Sequence, residues 1–299
     1  MKKHKKVIIL LITVLVVGFG QIRDYIFNNY TYQKGSVNEL AGLDDADILK
    51  VYYVDVGQGD CTVIELPNDE IMMIDSGENG YEEMVIDFLD SINVKKIDYL
   101  IATHPHSDHI GGMAEVIDEY DIGKIYMPDV VHTSQTFKNM LLEIEKKNLS
   151  INKASRGKTI FEYPDFSAKI LSPVSDDYED LNNYSAVVKL SYKDNSFLFC
   201  GDVEKEVEEE LLMIGEDIDC DVIKVAHHGS STSSTYNFLE QSGFDMAVIS
   251  CGADNDYGHP YDVVLKRINK FTNKVYRTDK SGNITILSDG KTLKALTQY

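Results

Sequence analysis

The segment His104-Pro105-His106-Ser107-Asp108-His109 places three imidazoles and one carboxylate within six residues. The chain has only 8 histidines, so packing does not explain their density here. Imidazole nitrogens and carboxylate oxygens are the donors that Zn²⁺, Mn²⁺ and Fe²⁺ accept in proteins. The apolar run at residues 97–103 predicts a strand directly before this segment. We therefore expect a metal-binding loop at a strand end, which is an arrangement suited to activating water.

Two later segments carry similar side chains, and each also follows a predicted strand. Asp202 comes after the apolar run at 196–200, and His227 with His228 comes after the run at 222–226. Three such strand ends predict one shared rim, where Asp202 would bridge two cations. Neighbouring side chains on a strand point in opposite directions, so we expect His228 to bind metal and His227 to face the substrate.

Strand-like runs alternate with segments of helical periodicity through both halves of the chain. Strands are predicted at residues 48–56, 62–66, 71–74, 97–103, 125–127, 166–171, 186–192, 196–200, 222–226, 246–250, 275–276 and 283–287, and helices at 81–89, 111–120, 137–147, 203–212, 235–241 and 263–269. This order favours an α/β fold in which two mixed β-sheets pack face to face with helices outside. We expect buried free thiols at the widely spaced Cys61, Cys200, Cys220 and Cys251.

The charge of the chain is strongly negative. It has 29 basic and 49 acidic residues, which give a formal net charge of −20 at pH 7. A surface of this sign repels polyanions, so nonspecific binding of nucleic acid through its phosphates is disfavoured. The composition favours a small or cell-envelope substrate over a nucleic acid.

The N-terminus has the layout of a secretory signal peptide or of a short membrane anchor. Lys2, Lys3, Lys5 and Lys6 precede an apolar run at residues 7–20. A helix of this length would be about 21 Å long, which is shorter than a hydrocarbon core of about 30 Å. We predict a signal peptide or anchor at 1–22, a linker at 23–47 and the folded domain with the metal-binding loop at 48–299. That domain would lie at the extracellular face of the cytoplasmic membrane or be secreted.

Five motifs stand out between residues 48 and 290. They are Val54-Asp55-Val56-Gly57-Gln58-Gly59-Asp60, the histidine segment followed by Ile110-Gly111-Gly112, Gly201-Asp202, Ala226-His227-His228-Gly229-Ser230 and Tyr257-Gly258-His259-Pro260. Together they resemble the metallo-β-lactamase fold hydrolases, and more narrowly the ComEC-like subgroup. The resemblance implies a four-layer αβ/βα sandwich. It also implies one metal position at His104 and His106, and a second at Asp108, His109, Asp202 and His228.

One departure from the family pattern concerns the first metal position. The family usually supplies a third histidine there, but no histidine occurs between His132 and His227. The matching stretch begins with Asn182 and Asn183, and we expect Asn183 to replace the imidazole, with Asn182 as the alternative. An amide is the weaker ligand, so the number of ions (one or two) stays open, as does their identity (Zn²⁺ first, Mn²⁺ second).

The resemblance also implies roles for residues around the cations. Asp75 would accept hydrogen bonds that fix the histidine loop. Asp108 and Asp202 would act on the attacking water, while His227 or His259 would neutralise developing charge or protonate the leaving oxygen. The Gly-rich motif would shape the rim through Asp55, Gln58 and Asp60.

These observations predict an exported or membrane-anchored metal-dependent hydrolase that acts on a phosphodiester. Two alternatives stay open, which are a nuclease component of DNA uptake and an extracellular metal-binding scaffold with little turnover. Hydrolysis of β-lactams is the least favoured chemistry, because the first metal position lacks its third imidazole.

Overall fold

The computed structural model describes residues 47–299. Its strands are β1 (Leu49–Tyr53), β2 (Thr62–Glu65), β3 (Ile71–Ile74), β4 (Lys96–Ile101), β5 (Asp121–Met127), β6 (Ile151–Lys153), β7 (Lys158–Glu162), β8 (Phe166–Ile170), β9 (Val188–Tyr192), β10 (Asn195–Phe199), β11 (Val222–Lys224), β12 (Met246–Ile249), β13 (Val275–Arg277), β14 (Ile284–Ser288) and β15 (Leu293–Thr297). Its α-helices are α1 (Glu82–Ser91), α2 (Ser107–Ile110), α3 (Met113–Glu119), α4 (Gln135–Lys146), α5 (Lys205–Met213), α6 (Tyr236–Ser242), α7 (Asp262–Ile268) and α8 (Thr278–Ser281), and 3₁₀ turns lie at Leu181–Tyr184 and Ala226–Gly229.

The strands of residues 47–299 form two mixed sheets. The first has the order β15-β14-β1-β2-β3-β4-β5-β6, and the second has the order β13-β12-β11-β10-β9-β8-β7. Strands β3 to β6 run parallel in the first sheet, as do β10 to β13 in the second, while the remaining pairs are antiparallel. The predicted architecture of two mixed sheets flanked by helices is confirmed.

The two sheets bury side chains on both of their faces. Phe197 and Phe199 of β10 lie in the core between the sheets, with Tyr53 and Met72 from the opposite sheet. Leu198 points the other way and packs among apolar residues of α5, α6 and α7. Because successive side chains of a strand face opposite sides, burial of both faces requires the apolar run seen in the sequence. Each fully buried Phe or Leu contributes about 1.5–3 kcal/mol.

Three strands were not predicted, namely β6, β7 and β15. All three are edge strands, since β15 and β6 border the first sheet and β7 borders the second. Their residues are largely exposed or half-buried, so they lack the apolar run that identified the central strands. The pairing of an edge strand depends on its neighbour more than on its own composition.

The four cysteines are buried and free, which confirms the prediction. The predicted signal peptide or anchor at 1–22 and nearly all of the predicted linker lie outside the described residues. Within residues 47–299, no helix has the length and apolarity needed to cross a membrane.

Candidate metal centre

Asp75 fixes the loop that carries the histidine segment. It follows β3 with a positive φ of 59°, and its side chain is fully buried. Its carboxylate accepts hydrogen bonds from Thr103 N (2.8 Å) and Thr103 Oγ1 (2.6 Å). The same carboxylate lies 2.7 Å from His109 Nδ1. These contacts join the end of β3 to the chain beyond β4, so the loop is held at both of its ends.

Four side chains from three strand ends converge at one point. Ligand atoms of Asp108, His109, Asp202 and His228 all lie within 4.8 Å of one another. His228 Nε2 is 3.2 Å from Asp108 Oδ2 and 3.4 Å from Asp202 Oδ2. His109 Nε2 is 3.2 Å from Asp202 Oδ2. We call these four residues the donor cluster.

The donor cluster fits a divalent cation. The Nδ1 atom of His109 faces Asp75, and that of His228 lies 3.0 Å from the carbonyl oxygen of Ser250, so each ring turns Nε2 towards the cluster. His109 Nε2 and Asp202 Oδ1 are buried without a hydrogen-bond partner in the described part of the chain. Two nitrogens and two carboxylates are a donor set that both Zn²⁺ and Mn²⁺ accept.

His104 and His106 form a second, adjacent pair of donors. His104 Nε2 lies 3.0 Å from His106 Nδ1. The other nitrogen of His104 is 3.1 Å from Thr103 Oγ1 and 3.2 Å from Ser185 Oγ, so its Nε2 remains for a ligand. The His104 and His109 rings are 4.2 Å apart, which places this pair beside the donor cluster.

Asn183, the residue predicted to complete this pair, makes other contacts in this structure. Its amide Nδ2 donates to Glu206 Oε2 (2.9 Å), and its Oδ1 accepts from the backbone N of Glu204 (3.0 Å). Both polar atoms of the Asn183 side chain therefore bind residues at the start of α5. Asn182 lines the pocket instead, and its buried Oδ1 has no partner within residues 47–299. Successive side chains of a 3₁₀ turn differ in direction by about 120°, which is why Asn182 faces the pocket while Asn183 faces α5.

A pocket of about 350 Å³ opens above the donor cluster. It is lined by Gln58, His106, Ser107, Asp108, His132, Ser134, Asn182, Asp202, His227, His228, Tyr257 and His259. None of these lining residues is a lysine or an arginine. A substrate in this pocket therefore meets imidazoles, hydroxyls and amides around the carboxylates.

His227 and His259 lie on the wall of this pocket. His227 Nε2 is 3.8 Å from Asp202 Oδ2, and the ring of His227 is 5.6 Å from that of His259. Burial, together with His228 and His227, lowers the pKa of His259 to about 4. The ring of His259 also stacks on the exposed Tyr257. Both predicted auxiliary histidines thus face the space above the donor cluster.

The conformation after β11 separates the two neighbouring histidines. His227 and His228 have φ values of 50° and 52°, a left-handed conformation that costs about 1–2 kcal/mol for each non-glycine residue. As a result His228 is buried in the cluster, while the side chain of His227 stays 20% exposed at the pocket. Strained backbone of this kind is concentrated at functional sites.

Comparison with known proteins identifies the family. A profile of the Metallo-beta-lactamase superfamily matches residues 54–253, which are more than half of the 299-residue chain. The chain belongs to the metallo-β-lactamase superfamily. The matched range contains the whole donor cluster, together with His104, His106 and Asp75.

Within this superfamily the curated relatives are ComEC-like. ComE operon protein 3 of Bacillus subtilis (strain 168) is 30% identical over 252 residues, which are 79% of this chain and 32% of that protein. Recombination protein 2 of Haemophilus influenzae is 26% identical over 237 residues, covering 78% of this chain and 28% of that protein. The chain thus spans about a third of the length of these relatives.

Solved structures share the metallo-β-lactamase fold at low sequence identity. CmlA, a diiron β-hydroxylase from Streptomyces venezuelae, matches with a TM-score of 0.54 and 13% identity, over 83% of this chain and 54% of that one. Tm1679, a metal-dependent hydrolase of the β-lactamase superfamily, matches with a TM-score of 0.51 and 10% identity, over 83% and 99% of the two chains. At such identities the likeness shows the fold alone.

Mutual electrostatic effects dominate the donor cluster of this metallo-β-lactamase superfamily member. Burial alone would raise the pKa of Asp202, but His109 and His228 hold it well below its ordinary value. Burial alone would lower the pKa of His109 and of His228, but Asp202 and the neighbouring carboxylates raise both. In the metal-free protein the surrounding carboxylates therefore favour the protonated form of both histidines.

Metal binding is expected to release protons. His109 and His228 bind a cation only as neutral imidazoles, and their raised pKa values mean that the metal must displace a proton from each. We expect about two protons released per chain at pH 7 and an affinity for Zn²⁺ that rises with pH. Calorimetry in two buffers of different ionisation enthalpy measures this number. Equal heats in both buffers would contradict the prediction.

Lys224 is a residue of this site that the sequence analysis did not identify, and Asp60 was assigned only to the rim. The structure buries both beneath the donor cluster as an ion pair. Burial alone would lower the pKa of Lys224, but Asp60 and Asp202 raise it. The sequence does show that Lys224 lies within an apolar strand run. A lysine buried there requires a carboxylate partner, and this was the signal that could have identified it.

Proposed function

We propose that this chain hydrolyses a small or cell-envelope phosphodiester with a metal-activated water. The observation that carries the proposal is the donor cluster, in which Asp108, His109, Asp202 and His228 converge at the base of an open pocket. Membership of the metallo-β-lactamase superfamily and the fit of the cluster to a divalent cation support a metal-dependent hydrolase. The assignment of a phosphodiester as the substrate goes beyond this and rests on the residues that line the pocket.

The donor cluster would hold one cation, and His104, His106 and Asn182 would hold a second, weaker one. When bound, a divalent cation supplies Lewis acidity, which lowers the pKa of water and attracts an anionic substrate oxygen. Asp202 Oδ1, which is buried and unpartnered in the described chain, is placed to accept a proton from the attacking water and orient it. Asp108 faces the pocket at 3.2 Å from His228 and is held ionised by His109 and His228, although burial alone would favour its neutral form.

His227 and His259 would act on the substrate. His227 lies close enough to Asp202 to hydrogen-bond a phosphoryl oxygen held above the cluster. The pKa of His259 is lowered to about 4, so its ring is neutral at pH 7. A neutral imidazole keeps one N–H, and this group would donate a hydrogen bond to the leaving oxygen. This division gives the leaving group and the nonbridging oxygens separate donors.

The absence of lysine and arginine among the lining residues favours a diester over a monoester or a polyphosphate. A diester carries one negative charge, whereas the additional charges of the others usually require Arg or Lys. We expect the protein reconstituted with Zn²⁺ or Mn²⁺ to cleave bis-p-nitrophenyl phosphate with a kcat/KM at least ~10-fold above that for p-nitrophenyl phosphate. Faster cleavage of the monoester, or of a β-lactam, would contradict this assignment, and retained metal without turnover of any ester would favour the scaffold.

A nucleic-acid substrate is the second candidate. Its support is that the curated relatives include a competence protein and a recombination protein by name. The net charge of −20 and the pocket lining weigh against it, because grooves for single strands are basic and lined with aromatic residues. Salt-sensitive retention of single-stranded DNA in a gel-shift titration would favour this candidate over the small diester.

We also propose that the hydrolase acts outside the cytoplasmic membrane. The proposal rests on the lysines and the apolar run at the N-terminus, which would direct export or anchor the chain. Digestion of the tagged full chain by protease added to intact spheroplasts tests it. Protection of the chain until the spheroplasts are lysed would refute the proposal.

A further inference from the structure

An ion pair connects the two sheets directly beneath the donor cluster. Lys224 ends β11 in the second sheet and is 2% exposed. Asp60 lies just before β2 in the first sheet and is 3% exposed. The Lys224 ammonium contacts the Asp60 carboxylate. Because both groups are excluded from water, each depends on the other for compensation of its charge.

Asp60 in turn contacts three members of the donor cluster. Its Oδ1 lies 3.3 Å from His228 Nδ1, and its Oδ2 lies 3.8 Å from His109 Nδ1. Its backbone N donates to the carbonyl oxygen of Asp108 at 3.0 Å. The two imidazoles therefore share one carboxylate on the side opposite to the one that would face the metal.

The chain before Asp60 is built to approach the histidine loop closely. Gly59 has a φ of 149°, and a Cβ atom at this position would lie only 2.3 Å from the carbonyl oxygen of Asp108. A side chain is therefore excluded here, and the backbone of the Gly-rich motif packs against the loop. This contact ties Asp60 to the Asp108 and His109 half of the cluster, while Lys224 belongs to the strand that leads to His228.

We propose that the Lys224–Asp60 ion pair is a positioning element, which sets the His228 half of the donor cluster against the Asp108–His109 half. The inference rests on the proposed metal site. The proposed function of the pair is separate from overall stability. Asp60 lies near Nδ1 of both histidines, and the contacts of Nδ1 set the direction in which each ring points. Outer contacts of this kind typically change metal affinity by about 10–100-fold.

The test compares three variants of the full chain, which are Lys224→Met, Asp60→Asn and the double variant. Each is titrated with Co²⁺, followed by its visible absorption, and unfolded thermally without metal. Lys224→Met leaves an uncompensated buried carboxylate, so both its folding and its metal binding suffer. The double variant removes both charges of the pair together, and Asp75, Asp108 and Asp202 still face the histidines, so we expect it to fold like the wild type yet bind Co²⁺ at least ~10-fold more weakly, with an altered absorption spectrum.

Lys189→Met is the matched control. Lys189 lies on β9 of the same sheet, its side chain is 13% exposed, and it pairs with Asp217 at 2.7 Å away from the donor cluster. Its substitution should leave Co²⁺ affinity and spectrum unchanged. A double variant that binds Co²⁺ like the wild type, or one that does not fold, would overturn the inference. A wild type that binds no Co²⁺ would instead refute the proposed metal site itself.

Discussion

Replacing Asp202 with asparagine is expected to lower phosphodiester turnover by ~10²–10³-fold, the loss typical of removing a group that acts on charge in the transition state. Asp202 is 2% exposed and lies within 3.4 Å of both cluster histidines. The amide removes the negative charge that compensates these histidines and the oxygen that would accept the proton of the attacking water. Steady-state cleavage of bis-p-nitrophenyl phosphate at saturating Mn²⁺ measures the effect.

Asp221→Asn is the control for this substitution. Asp221 lies directly before β11, where its carboxylate accepts a hydrogen bond from Ser196 N (2.7 Å), and it is outside the pocket. Its variant should turn over substrate within about 3-fold of the wild type, since it touches no reacting group. Equal rates in the Asp202 variant and the wild type would remove Asp202 from the mechanism.

His228→Ala is expected to weaken metal binding by ~10²-fold or more, because it deletes one of two imidazole donors and leaves Asp108 and Asp202 facing each other. His228 Nε2 lies within 3.4 Å of both carboxylates. Competition with a fluorescent zinc chelator measures the affinity. Turnover should fall in parallel and recover in part as more metal is added.

His227→Ala provides the adjacent comparison. The side chain of His227 stands at the pocket wall, 3.8 Å from Asp202, and is not a member of the donor cluster. We expect unchanged metal affinity and a kcat about 10²-fold lower, the usual loss on removing one hydrogen-bond donor that stabilises transition-state charge. The reverse result, with metal lost from His227→Ala and kept by His228→Ala, would exchange the roles of the two residues.

The central strands were predictable because burial on both faces leaves an apolar run. Residues such as Phe197, Leu198 and Phe199 carry that signal by themselves, whatever their partners. The edge strands β6 and β15 have exposed or half-buried residues, so their pairing is a property of the assembled sheet. Local pattern therefore predicts the middle of each sheet better than its border.

The donor residues were visible in sequence because the chain has only 8 histidines and five of them follow apolar strand runs, and the resemblance assigned them to metal positions. The choice between Asn182 and Asn183 was not visible, since it depends on the rotation of a 3₁₀ turn that local composition does not specify. Lys224 was overlooked for a related reason. Its partner Asp60 is 164 residues away, in the loop before β2 of the other sheet, and no local pattern encodes such a contact.

The location of a bound metal tests the account most directly. Crystals of the protein grown with Zn²⁺ or Mn²⁺ would be measured above and below the absorption edge of that metal. The account predicts an anomalous peak about 2.0–2.3 Å from both His109 Nε2 and His228 Nε2, in contact with Asp108 and Asp202. An anomalous peak elsewhere, with none in the donor cluster at saturating metal, would contradict it.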